Sequence, residues 1–130
     1  MPSWPSSLAL AIAIAIALAQ VATGSSAQSV RIVVQSSPLA GYQYHEGPAL
    51  WQQLRVGDTL TLARETDNAH DAKAISVNWR GRKLGYLPRA ENSVVAAEMD
   101  RGSRVAARIE RLRDESDPWS RVRVEVYVEL

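Results

Sequence analysis

From Val122 to Leu130 the chain alternates without a break, with Val122, Val124, Val126, Val128 and Leu130 standing between Arg123, Glu125, Tyr127 and Glu129. Successive side chains of a β-strand point to opposite faces, so this pattern describes a strand with one buried, apolar face. Such a strand is stable only as part of a sheet over a core. Five further runs carry β-branched or alternating apolar residues: Val30 to Gln35, Thr59 to Arg64, Ala74 to Trp79, Lys83 to Leu87 and Arg104 to Leu112. Arg80-Gly81 predicts a tight hairpin between the third and fourth strand-like runs, and Asp114 to Pro118 a longer polar loop before the last strand.

Two segments have helical spacing. Pro48 marks a helix start, with Leu50, Trp51 and Leu54 following it before Gly57-Asp58 turns the chain. From Arg89 to Arg101, Val94, Val95, Glu98 and Met99 fall around a second short helix that Gly102 ends as a left-handed stop. Six short strands, two short helices and no internal repeat predict a mainly β domain: a small six-stranded barrel, closed or partly closed, of the oligonucleotide-binding (OB-like) or SH3-like kind.

The amino-terminal end has a different character. Leu8 to Ala19 run for twelve positions without a charge, short for a membrane span and suited to the apolar core of a secretory signal. Of two small-residue cleavage patterns, Ala17-Leu18-Ala19 and Ser25-Ser26-Ala27, the second leaves a polar segment behind the apolar core. The expectation is therefore a signal peptide over residues 1–27 and a single domain over residues 28–130, exported to the periplasm or secreted, monomeric, and not inserted in the membrane once the signal is removed. Met1 to Ser7 hold no Lys or Arg, which keeps an uncleaved anchor or a wrongly chosen start codon as alternatives. With no cysteine, a disulfide framework, a thiolate metal site and a cysteine nucleophile are all excluded. A net charge of +1 is too small for bulk attraction to nucleic acid or anionic lipid, so any such binding needs a local patch.

With the strands placed, three polar stretches fall in loops: Gly41 to Gly47, Arg64 to Asp71 with Lys73, and Lys83 to Arg89. Their residues have structural readings too. Asn68 and Asp71 form turns by capping backbone amides, Tyr44 and Tyr86 suit half-buried positions with wet hydroxyls, and Trp51 and Trp79 sit on apolar faces as core, with stacking on a ligand as the alternative for either. The arginines between Arg101 and Arg113 project to solvent, with a binding strip as the alternative. His45, His70 and Asp71 could hold a divalent metal such as zinc and activate water against a phosphoanhydride or phosphodiester. Adjacent residues point to opposite faces of a regular strand, however, so His70 and Asp71 need a bent loop to converge. Phosphate-binding Gly-rich loops and Gly-x-Ser-x-Gly elbows are missing. The sequence therefore calls for no catalytic residue and no cofactor.

Together the three stretches resemble the HIRAN domain. The resemblance runs from about Ile32 to Leu112 and is carried by the Gly57-Asp58-Thr59-Leu60 turn, the Arg-Glu-x-x-Asn-x-x-Asp-x-x-Ala-Ile run of Arg64 to Ile75, and Gly85-Tyr86-Leu87-Pro88. It implies a small barrel and, from the studied eukaryotic members, a module that binds the 3′ end of single-stranded DNA. On that pattern Tyr44 and Tyr86 contact or stack on the terminal bases, Asp71 accepts a hydrogen bond from the 3′ hydroxyl, and Arg89 meets a phosphate. Gln43 stands where the eukaryotic motif carries an arginine, and His70 where it carries a tyrosine. The implied nucleic-acid-binding set is Gln43, Tyr44, His70, Asp71, Tyr86 and Arg89. Two other functions stay open: an envelope protein-interaction module that kept the fold and lost DNA binding, and a metal-dependent hydrolase of phosphorus-containing anhydrides or esters.

Overall fold

The computed structural model describes residues 30–130, so the expected signal segment lies outside the described residues. The strands are β1 (Arg31–Pro38), β2 (Thr59–Arg64), β3 (Ile75–Trp79), β4 (Arg82–Tyr86), β5 (Arg104–Leu112) and β6 (Val122–Glu129). They form one antiparallel sheet in the order β1-β6-β5-β2-β3-β4. The perfectly alternating segment thus lies inside the sheet, between the first strand and the fifth. Val122, Val124 and Val126 are buried there. Burying such a side chain fully contributes about 1.5–3 kcal/mol, and the same core takes Ile109 and Ala107 from β5, Leu60 from β2, Ile75 and Val77 from β3, and Leu84 from β4. Tyr127, on the opposite face of β6, is buried as well, beneath the guanidinium of Arg31 at 4.8 Å from the ring centre.

The expected barrel is not there: the sheet is open. Its edge strands β1 and β4 share no ladder, and the segment after β1 reaches the end of β4 through a single bridge, Ala40 to Tyr86, with two backbone hydrogen bonds of 2.8 Å. Pro38, the last residue of β1, has no N–H to extend a ladder, and β4 has only five residues. At the bridge the backbones approach so closely that a Cβ on Gly85 would collide with the carbonyl oxygen of Ala40 and press on the side chain of Leu39.

The hairpin between β3 and β4 uses Arg80 and Gly81, both with positive φ (47° and 78°), as a two-residue turn of the primed type that matches strand twist. Helix α1 (Gly47–Leu50) is a single turn continued by a 3₁₀ turn, Trp51–Gln53. Helix α2 (Ser93–Asp100) starts later than its sequence pattern suggests, because Arg89–Glu91 form a separate 3₁₀ turn first. Gly102 ends it with φ at 87°, in the left-handed region that favours glycine. Among the described residues no helix is long and apolar enough to cross a membrane.

Candidate functional site

Between β2 and β3 the chain folds on itself through its own side chains. The Asn68 amide oxygen accepts the backbone N–H groups of His70 (2.9 Å) and Asp71 (3.2 Å), and Asp71 Oδ1 accepts the N–H of Lys73 (2.9 Å). Asn and Asp favour such turns because a short side chain replaces the carbonyl of a regular element. This supplies the bend that convergence of two adjacent residues demands, and His70 and Asp71 line the same concavity. Asp71 Oδ2 also accepts from the side-chain amide of Asn92 (2.8 Å), a residue only 2% exposed, which fastens the loop to the start of α2. The Lys73 N–H foremost, then the Asn92 amide, hold the Asp71 carboxyl below its ordinary range, helped by the charges of Arg89 and Lys73.

The concavity encloses about 280 Å³. His70 and Asp71 form one wall with Asn68; Tyr86 and Arg89, with Leu87 between them, form the other; Ala40 and Ala74 complete the lining. Tyr86 is held by both ends. Its hydroxyl donates to Glu65 Oε1 (2.8 Å) and accepts from Lys83 Nζ (2.9 Å), while the His45 ring stands edge-on to the phenol with centroids 5.5 Å apart. Lys83 and Glu65 form an ion pair at 2.7 Å. The hydrogen bond from Lys83 pulls the Glu65 carboxyl below its usual range, and the hydrogen bond to Glu65 raises Lys83. Burial, followed by the Lys83 charge, pushes His45 down. Among the described residues Arg89 makes no ion pair, so its charge is available to a ligand.

Gln43 and Tyr44 are not brought to this place. They belong to a 3₁₀ turn, Tyr42–Tyr44, anchored by the buried ring of Tyr42. Side chains of a 3₁₀ turn project in three directions, so with Tyr42 pointing inward its two successors point away from the core. Tyr44 is 80% exposed, and Gln43 lines a separate depression with Tyr42, Pro48, Trp51, Pro118 and Arg121. The metal candidates His45, His70 and Asp71 do not form a ligand set, and among the described residues no group of three or more His, Asp or Glu side chains could hold a metal ion. His45 packs edge-on against the Tyr86 ring instead. Trp79 is buried core, with its indole N–H donated to Asp58, whereas Trp51 is only partly buried and carries Arg121 over its ring.

Glu65 and Lys83, from the polar stretches, and Asn92, from outside them, complete the site. Glu65 lies inside the Arg64 to Asp71 run, but only the register of β2, β3 and β4 reveals that it meets Lys83 and Tyr86. The assembled concavity offers a flat aromatic ring, an imidazole, an anionic carboxylate with lone pairs to spare and an unpaired guanidinium. That set suits a flat group carrying both a hydroxyl and a negative charge.

Comparison with known proteins adds to this geometry. Residues 32–130 match the family model of the HIRAN domain. The chain is 36% identical over 81 residues to a Fanconi-associated nuclease 1 homolog of Oryza sativa subsp. japonica, an alignment that takes in 59% of this chain and 8% of that much longer protein. Among solved structures, a Lactobacillus plantarum protein superposes with a TM-score of 0.69 at 28% identity, covering 78% of this chain and 98% of the other. The HIRAN domain of human HLTF superposes with a TM-score of 0.59 at 17% identity, covering 76% and 78%, a likeness of fold.

Proposed function

We propose, from the premise that this chain belongs to the HIRAN domain family, that it is a nucleic-acid-binding module whose concavity takes the 3′ end of a single DNA strand. The carrying observation is the convergence of His70, Asp71, Tyr86 and Arg89 on one concavity from two separate segments. In this reading the terminal base stacks on the Tyr86 ring, a contact worth about 1–3 kcal/mol, and His70 provides a second flat surface. Asp71 accepts a hydrogen bond from the 3′ hydroxyl, and Arg89 pairs with the nearest phosphate. A lowered carboxyl pKa supports the role of Asp71, because the group is anionic at neutral pH and repels an end that carries a phosphate. Arg89 is the cationic residue of the lining, and Gln43 lines another depression.

The test is fluorescence anisotropy with a short labelled oligonucleotide, presented once with a free 3′ hydroxyl and once with a 3′ phosphate. The blocked end should bind about tenfold more weakly or worse, a difference of about 1.4 kcal/mol. Asp71→Ala should erase most of that difference while a thermal melt shows the domain still folded. Equal affinity for the two ends sinks end capture.

A second reading, a protein-interaction module, is favoured by the open edge of β1, where Ile32, Val33 and Val34 are well exposed. An added strand from a partner would satisfy that edge. It predicts no oligonucleotide binding even at low salt.

A further inference from the structure

The two walls of the concavity come from two separate segments, Asn68 to Asp71 and Tyr86 to Arg89, and one carboxylate touches both. Glu65 Oε1 accepts from the hydroxyl of Tyr86 (2.8 Å) on one wall and from the side-chain amide of Asn68 (3.2 Å) on the other. Its second oxygen accepts from Lys83 Nζ (2.7 Å). Lys83 donates in turn to the Tyr86 hydroxyl (2.9 Å), so that hydroxyl has a donor on one side and an acceptor on the other, and the phenol is fixed in orientation. Asn68 passes the constraint onward, since its amide oxygen holds the N–H groups of His70 and Asp71.

We infer that Glu65 is a positioning residue that sets the gap between the Tyr86 wall and the His70–Asp71 wall, so that the two walls receive a ligand as one unit. This rests on the end-capture reading of the same concavity. Glu65 does not line the concavity and would not touch the strand. As an ion pair alone, Glu65 and Lys83 would contribute little, because partly exposed pairs are screened and entropically costly. What distinguishes Glu65 is that one charged acceptor gathers three side-chain donors, and charge-assisted bonds are the strong, geometrically demanding kind. An amide in its place has one acceptor atom and must turn an N–H₂ group toward Lys83 or toward another donor. The link between the walls then opens even though the side chain keeps its size.

The experiment uses the whole chain with Glu65→Gln, Tyr86→Phe and the double substitution, with a short single-stranded oligonucleotide carrying a free 3′ hydroxyl as the probe. Tyr86→Phe keeps the ring and removes only the hydroxyl. Each single variant should bind about fivefold to tenfold more weakly, and the double variant should be no weaker than the poorer single one, because residues in one network are non-additive. Losses that multiply would overturn the proposal. A second readout needs no ligand: in amide NMR spectra, Tyr86→Phe should shift the His70 and Asp71 resonances, and that response should vanish in the Glu65→Gln background. Resonances that stay still overturn the linkage, whatever the oligonucleotide does. Shifts that follow the expected pattern in a protein that binds no oligonucleotide keep the linkage and sink end capture.

Discussion

The Glu65–Ala74 loop and the Gly41–Gly47 turn are both short, polar and rich in residues suited to binding, yet they deliver their side chains in opposite ways. In the loop, side chains replace the missing backbone partners. Asn68 and Asp71 accept N–H groups within three residues, and neighbouring side chains arrive at one point. In the turn, one buried ring does the anchoring, and Gln43 and Tyr44 are displayed outward on the far side of it. A loop closed by its own polar groups therefore gathers its side chains in one place, whereas a turn closed by a hydrophobic anchor displays them outward.

The largest expected effect tests the anchor. Tyr42→Ala should lower stability by about 3–5 kcal/mol in urea unfolding, as other buried aromatic truncations do. Tyr42→Phe should change stability by less than about 1 kcal/mol in either direction, because among the described residues the buried hydroxyl of Tyr42 has no hydrogen-bond partner to lose. A large loss in the Phe variant would mean that the turn, like the loop, is held by polar contacts. Of intermediate size is Asn68→Ala, which frees two loop N–H groups that water can partly reach. It should remove about 1 kcal/mol of stability, measured by the same titration, and weaken oligonucleotide binding further than the stability loss alone explains. The smallest effect belongs to Tyr44→Ala. Stability should stay within about 0.5 kcal/mol of the parent, as at other surface positions, and 3′-end affinity should be unchanged. If affinity instead falls by the roughly 1–3 kcal/mol of a lost base stack, the strand reaches over the turn and the two regions act together.

The same contrast explains which parts of the molecule could be read from the sequence. Alternation in β6 from Val122 to Val126, the positive-φ hairpin at Arg80-Gly81 and the stop at Gly102 are local patterns for which local rules sufficed, whereas Leu130, at the end of the alternation, is exposed. Closure of the sheet is not local. It depended on whether the ends of β1 and β4 could pair, which Pro38 and the short β4 decided against. By its place in the alternation Tyr127 belongs to the polar face, but Arg31 from the neighbouring strand covers it. At the candidate site, the run from Arg64 to Asp71 carries its own bend in its Asn and Asp residues. The direction of Tyr44, by contrast, follows from which residue of a 3₁₀ turn the core accepts. Gly47 strengthens that choice, since any Cβ there would run into the Tyr42 ring. Glu65 was invisible as a hub because its partners are assembled only by strand register.

The place of β6 also bears on how the domain is made. β1 emerges from the ribosome first of the six strands, and its ladder partner last: Arg31 pairs with Glu129 and Pro38 with Arg123. Until β6 is made the apolar stretch Ile32 to Val34 lacks its ladder partner, and two-sided pairing of β6 must then bridge nearly the whole described chain. Contacts so distant in sequence form slowly, and nascent chains waiting for them are exposed to chaperones and to one another.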